Sequence, residues 1–547
     1  MDTGSPPPFT GSYVPFRVAY VLLGWLGLWA IRRRPHPALA AGLIVALNLV
    51  AWAAYVAPLK RPYAFGEPSD RSISIGNAAT VAAGNSPLEH VQVRFGNLEP
   101  LWSVVAAALA LFHPGWVYAT YGLLSPLSIV LVALSLYRGL RVDDLDSDRW
   151  ERALVVLAVL GLSSFSLSGD TPVPALWAGN LLLKPNHAIG WGLLGVVVGM
   201  RARGSSPWRL GLTLGFLVWA YLLGWLYLSA GLVGGAMLQR REHRAGGGLA
   251  LALALSGLVA VPYVAHLARD YDPFRKDPSS IQIWRETLGG PLAHPYWVTV
   301  DLGPLLLLGT VGAVLLWRRR TRRDRHLLGV LGAAWILWLA YALAAARFGI
   351  APEPDEIHYF VRVNMAVAAG TALAALARHL ERTRALADGR GHLIAMAACL
   401  PLTFPAYWNP PAMDRYFNWC LAPVRPRVEE YAAWVRDNTP ADAVFLAGDE
   451  ACVWIPARAG RRVLLIDAAR PPADYAARKE VERVMLTSRD ADLIRAAARR
   501  YGIGYVAIDE PMRNEYGAEA LAGLGRLPVY EPVYFNSAVR ILKLRVE

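Results

Sequence analysis

The side chains of this chain that could do chemistry at a membrane boundary stand in four places. The stretch 67–101, EPSDRSISIGNAATVAAGNSPLEHVQVRFGNLEPL, carries Glu67, Asp70, Glu89, His90 and Glu99. Asp170 follows the apolar run that ends at Gly169. Lys184 and His187 stand in LLLKPNHAIGW, and PEPDEIHYFVRVNM collects Glu353, Asp355, Glu356, His358 and Arg362. A carboxylate at a water–membrane boundary is suited to take the proton of an attacking hydroxyl. A cation just inside an apolar segment is suited to neutralise a lipid phosphate.

Each of these residues also has a plain structural reading. Asp70 precedes a helical pattern, where an N-cap aspartate is common. Asp170 opens the turn Gly169-Asp170-Thr171-Pro172. Lys184 and His187 bracket a helix entry, where they bind a phosphate or snorkel to the interface. Arg362 lies four residues beyond His358 on one helix face. A charge at that depth in an apolar run is costly and functional by default, which makes Arg362 the leading phosphate ligand. Its structural alternative is an ion pair with Asp355 or Glu356. A divalent cation (Mg or Mn) held by Asp70, Asp170 and the acidic loop is left open, because no ligand spacing requires one and no metal ligand set is assigned. Cys399, Cys420 and Cys452 are too far apart in sequence for a metal clamp; Cys420 and Cys452 are either a disulfide or two thiols.

The elements that must position these groups are membrane helices. Hydrophobic residues make up 55% of the 547 and charged residues only 18%, outside the range of soluble proteins. The net charge of +13 does not point to nucleic acid, since the arginines fall in short clusters between apolar runs. The start of the chain lacks a basic n-region and a cleavage site, so the first apolar run is expected to persist. About twelve runs are long enough to approach a bilayer's ~30 Å. They lie near 15–31, 37–58, 115–137, 153–168, 187–200, 208–224, 225–239, 247–267, 301–317, 327–346, 358–377 and 392–408.

Arginines 32–34, 138 and 141, 201 and 203, 240 and 241, 318–325, and 378 and 382 mark every second connection, which the positive-inside bias makes cytoplasmic. The parity requires 99–113 to lie along the interface as an amphiphilic helix. The loop 59–114, the other loops of its set and everything after Trp408 then face outward, in a multi-pass protein of the plasma (inner) membrane. The expected organisation is mainly α: a transmembrane domain over 1–408 and a small extracytoplasmic α/β domain over 409–547. In the tail, 427–438, 474–484 and 490–501 read as helices. Residues 443–447, 462–466 and 504–508 read as strands, and 533–545 as a final hairpin. The tail has no GxGxxG, P-loop or catalytic dyad, so it is read as supporting or recognising, with a protein partner left open.

SDRSISIGNAATVAAGNSP resembles the first external loop of the GT-C superfamily, integral-membrane glycosyltransferases that use polyprenyl-phosphate-linked sugars. Those enzymes carry an acidic pair, then a short helix ending in an A-x-G-(N/D/H) turn. Asp70 stands before Gly84 at the spacing of the pair's second acid. LEPLWSVVAAALALFHPGW is similar to the family's juxtamembrane helix. The tail, through YAAWVRDNTPADAVFLAGDEACVWIPARAGRRVLL, RYGIGYVAIDEP and VYFNSAVRILKL, is similar to the extracytoplasmic domain of many bacterial members. Ser69 stands where the family's first acid, often the base, is found. Asp70 then takes that role after a one-residue shift, or Glu67 does, or the chemistry is lost.

The resemblance implies an inverting transfer from a polyprenyl-phosphate sugar to an extracytoplasmic glycan, lipid or protein acceptor. In such a transfer Asp70 is the base, with Asp170 and Glu67 as further catalytic candidates. Arg362, His358, Lys184, His187 and Glu356 are the substrate-binding candidates. Two alternatives stand beside it. One is a non-catalytic GT-C-like scaffold or partner subunit, kept open by Ser69. The other is a lipid or solute transporter, disfavoured because no inverted repeat is found and the charges gather at the outer face.

Overall fold

The computed structural model describes residues 13–56, 70–95, 97, 100–112, 126–142, 146–162, 185–239, 243–270, 302–348, 354–402, 425–466, 472 and 474–545. The first part is helical: α1 Tyr13–Ile31, α2 Pro37–Val56, α3 Asp70–Ala82, α4 Pro100–Ala110, α5 Pro126–Gly139, α6 Asp146–Leu160, α7 Pro185–Ala202, α8 Pro207–Ala220, α9 Leu222–Met237, α10 His243–Asp270, α11 Pro304–Arg319, α12 Arg322–Phe348, α13 Pro354–Thr383 and α14 Arg390–Cys399. Proline opens many of them, at the position where its missing N–H costs nothing. Tyr221, extended at φ −164°, forms the one-residue corner between α8 and α9.

Among the described residues, Gly247–Ala268 and Phe360–Thr383 are long and apolar enough to cross a membrane, and several shorter apolar helices accompany them. The two differ in place: the first is 28% buried by protein and the second 89%, so α10 lies at the rim and α13 at the centre. Leu26 and Trp29 on α1, Leu258 and Val261 on α10, and Leu307 on α11 are all more than half exposed. Apolar surface on that scale needs a nonaqueous neighbour. Small residues let the helices approach closely, as in membrane bundles. Gly312 of α11 faces the Ala368 carbonyl of α13, and Gly195 of α7 faces the Ser135 carbonyl of α5; a Cβ at either would collide.

The bundle has two distinct ends. At one end, called here the charged end, Glu151 of α6, Arg319 of α11, Asp324 and Arg323 of α12 and Asp148 form a connected ion network. There Arg203, beyond α7, donates to the carbonyls of Gly139 and Arg141, and His392 of α14 pairs with Glu381 of α13. At the other end His266, near the end of α10, donates from Nε2 to the Leu88 carbonyl at 2.9 Å.

The C-terminal unit contains α15 Pro426–Asn438, β1 Val444–Ala447, α16 Ala451–Trp454 running on to Ala459, β2 Arg462–Val463, α17 Tyr475–Thr487, α18 Ala491–Tyr501, β3 Ile503–Ile508, α19 Glu510–Tyr516, α20 Ala518–Leu524, β4 Tyr530–Phe535 and β5 Arg540–Leu544. The sheet order is β2-β1-β3-β5-β4 among the described residues, with β1 parallel to β2 and β3, and β5 antiparallel to β3 and β4. Asp490 caps α18 through the amides of Asp492 and Leu493, and Gly502 closes it at φ +70°. The boundary expected at 408/409 lies outside the described residues. The strand expected over 462–466 is shorter, because after Val463 the chain leaves β1; the Leu464 amide is the last to pair, with the Phe445 carbonyl.

Candidate functional site

The polar segment after α2 is built around two buried asparagines. Asn77 of α3 accepts at Oδ1 from the Val91 amide at 2.8 Å and donates to Asn97 Oδ1 at 3.3 Å. Asn97 in turn donates to the Pro87 carbonyl and Ser103 Oγ, each at 2.9 Å. Buried side-chain amides with their partners satisfied fix one loop path. Gly84, at φ +99°, makes the turn that ends α3. Leu88 then packs against Val218, Ala260, Tyr263 and Leu267, which seats the loop on the ends of α8 and α10.

The loop also joins the C-terminal sheet. Gln92 lies opposite Val463 in a parallel bridge; the Val93 amide donates to the Val463 carbonyl at 2.9 Å and the Val463 amide to the Val91 carbonyl at 2.8 Å. Gln92 Oε1 accepts from the Ile466 amide, and Glu89 pairs with Arg462 at 2.6 Å. Buried Arg478 bonds Asp474 at 2.7 Å, the Leu464 carbonyl at 2.6 Å and the Arg94 carbonyl at 3.2 Å. Asn85 donates to the Ala441 carbonyl. α3 itself lies on the α16 turn: a Cβ on Gly76 would meet Pro456 and Val91 at 2.9 Å. The face of the C-terminal unit that carries β2 is therefore docked on the end of the bundle that carries 70–97.

The sequence-derived candidates fall as follows. Asp70 is the first residue of α3, so its backbone stands at a helix N-terminus, with a partial positive charge. His187 lies in the first turn of α7, and Asp355, Glu356 and His358 in the first turns of α13, by their backbones. Glu67, Asp170, Lys184 and Glu353 lie outside the described residues. So do Ser69 and Cys420, while buried Cys452 directs its thiol to the Asp449 carbonyl at 3.3 Å. Arg362 is fully buried. Eight residues into α13, it stands about 12 Å below the helix start. At this level Phe360 stacks on Tyr227 of α9 with ring centroids 4.1 Å apart, and Asn364 donates to Tyr227 Oη at 3.2 Å and to the Phe360 carbonyl at 2.7 Å.

α13 starts at the end of the bundle opposite Glu381. α3, which begins at Asp70, and the first turns of α13, which lead to Arg362, thus share the docked end. No group of three His, Cys, Asp or Glu side chains able to hold a metal occurs among the described residues.

Sequence reasoning passed over Asn77, Asn97, the 91–93 bridge and the Tyr227–Asn364 pair. The bridge had a signal: His90-Val-Gln-Val alternates with period two, as an added strand does. The asparagines had none, since an Asn in a polar stretch reads as turn chemistry.

No family model matches this chain, and no curated protein does. Solved structures do. The archaeal oligosaccharyltransferase AglB from Archaeoglobus fulgidus, in complex with an inhibitory peptide and a dolichol-phosphate, superposes with a TM-score of 0.52 at 13% identity, covering 88% of this chain and 71% of that one. An Archaeoglobus fulgidus oligosaccharyltransferase in complex with Zn and sulfate gives 0.52 at 13%, over 91% and 72%. ArnT from Cupriavidus metallidurans, bound to undecaprenyl phosphate, gives 0.51 at 14% identity over 92% of this chain and 97% of ArnT. The mycobacterial arabinofuranosyltransferase AftD gives 0.51 at 14% over 93% of this chain, which spans 40% of AftD. These are GT-C membrane glycosyltransferases, and this chain has their fold.

Proposed function

We propose that this chain is a multi-pass membrane glycosyltransferase that moves a sugar from a polyprenyl-phosphate carrier to an acceptor at the docked end of the bundle, the extracytoplasmic side. The observation that carries this reading is the fold shared along about nine-tenths of the chain with AglB and ArnT. Those proteins were solved with dolichol-phosphate and undecaprenyl phosphate, respectively. The sharing of one end by α3, headed by Asp70, and the start of α13, which bears Arg362, supports it further. A lipid headgroup and a water-borne acceptor meet at such an end.

In this reading the acceptor oxygen attacks the anomeric carbon as its proton passes to the Asp70 carboxylate. The bond from that carbon to the phosphate oxygen breaks, the configuration inverts, and the lipid phosphate leaves with the bonding electrons. The guanidinium of Arg362 balances the charge that gathers on the leaving phosphate, in a buried setting where such an interaction is strong. His358, Lys184, His187 and Glu356 complete the carrier and sugar contacts, and Asp170 and Glu67 are the further carboxylates of the site. No step is routed through a metal.

The test is transfer of labelled sugar from polyprenyl-phosphate donors by membranes carrying wild type or Asp70→Asn. A general base contributes on the order of 10²–10⁴ in rate, and a loss of that size is expected. Equal rates would remove Asp70 from the mechanism. Wild-type membranes inactive with the whole donor series would refute the enzyme reading itself.

A further inference from the structure

At the charged end, far from the proposed transfer site, α1 and α14 border an open groove of about 510 Å³. Trp25 Nε1 donates to the Ala397 carbonyl at 2.9 Å and holds its two walls together. The groove is apolar below and basic at its mouth: Leu393, Ile394 and Trp29 line it, and Arg32, Arg33 and Arg390 rim it, with no acid among its lining residues. Arg32 lies over the Trp29 ring, 4.0 Å from Cζ to centroid, so that guanidinium is held at the mouth. Trp25, Trp29 and Ile394 are each 44% exposed or more, on the flank of the bundle.

We propose that this groove binds one anionic phospholipid from the leaflet at the charged end. Its headgroup phosphate lies among the three arginines and its acyl chains run along Trp29 and Ile394. The occupant follows from charge and shape together. Three cations without an acid select an anion, the volume falls within the range of small-molecule sites, and the lower half offers only apolar surface. A soluble anion would leave that apolar half uncovered, and a neutral lipid would leave the arginines without a counter-charge. The inference is independent of the glycosyltransferase reading.

The experiment uses the full-length protein, purified and delipidated in neutral detergent, with Tm and native mass spectrometry as readouts. Phosphatidylglycerol, phosphatidylcholine and undecaprenyl phosphate are added in turn. Phosphatidylglycerol is expected to raise Tm and remain bound, more weakly as salt rises. The triple variant Arg32→Gln, Arg33→Gln, Arg390→Gln should bind it weaker by on the order of 100-fold, from three arginines near an anionic surface. Arg33→Glu alone gives a second test, and Arg209→Gln, an exposed arginine at the same end, should behave as wild type. The proposal fails if phosphatidylcholine protects equally, if the variants keep wild-type affinity, or if undecaprenyl phosphate binds and phosphatidylglycerol does not.

Discussion

Gln92 and Val463 face each other across a parallel β-bridge, one from the polar loop near the start of the chain and the other from the edge strand of the C-terminal sheet. Edge strands left open are hazards that proteins cover. Here the cover is the loop that leads out of α3, so the position of Asp70 at the head of α3 is set by contacts some four hundred residues away. On the glycosyltransferase reading, the C-terminal unit positions the site.

Val93→Pro removes the amide that donates to the Val463 carbonyl while leaving the pairing of β2 with β1 intact. Loss of a buried hydrogen bond with its acceptor left unpaired costs about 1–3 kcal/mol. Faster amide exchange at Val463 and readier proteolysis within 85–95 are expected, with the bundle still folded. Unchanged exchange at Val463 would mean that the bridge does not order the loop.

Gly76→Leu places a side chain where Pro456 and Val91 already stand at 2.9 Å from the Cβ position. Overpacking of this kind costs about 1–3 kcal/mol. The expected result is a lowered Tm and, on the glycosyltransferase reading, a fall in transfer rate larger than that of a neutral helix substitution such as Ala82→Leu on the exposed side of α3. Matching rates in the two variants would separate α3 from the chemistry.

Asp474 provides a pH test. Burial alone would raise its carboxyl, but the Tyr501 hydroxyl at 2.6 Å and the Arg478 guanidinium at 2.7 Å outweigh that and hold it below its ordinary value near 3.8. A lowered folded-state pKa means stability that is fully present above the unfolded value and lost as pH falls through the folded one. Wild type should therefore exceed Asp474→Asn in Tm by a constant margin from pH 8 to about 5, with the margin shrinking below about pH 4. A margin that persists unchanged under acid would assign the stabilisation to packing instead.

The helical class and the alternation in the tail were legible because they rest on local periodicity: α15, α17, α18 and β3 stand where the pattern puts them. What was not legible depends on partners remote in sequence. β2 ends after Val463 because the loop and Arg478 take over its hydrogen bonds there, and no local rule announces that. The arginine clusters predicted which connections share an end, and the Arg319–Glu151 and Arg203–Gly139 contacts join members of that set. Asp148, Glu151 and Asp324 were silent in the same reading, since an acid beside many arginines looks like surface charge until its burial is known.

That burial gives a last expected outcome, an inequality between the two partners of one ion pair. Glu151 accepts from Arg319 at 2.5 and 2.9 Å, from Arg323 at 3.2 Å and from Thr371 at 3.1 Å, and its side chain is only 5% exposed. Arg319 is 30% exposed and keeps Asp324 at 2.9 Å as a second partner. Glu151→Ala leaves Arg319 and Arg323 to share Asp148 and Asp324, an excess of buried positive charge, for which about 3–5 kcal/mol is expected. Arg319→Ala leaves Glu151 still bonded by Arg323 and Thr371, so its cost should be smaller, about 1–3 kcal/mol. Thermal unfolding of the two variants in one detergent measures the order directly. A loss from Arg319→Ala as large as that from Glu151→Ala would show that the network is held by Arg319 and not by the carboxylate that joins α6, α11, α12 and α13.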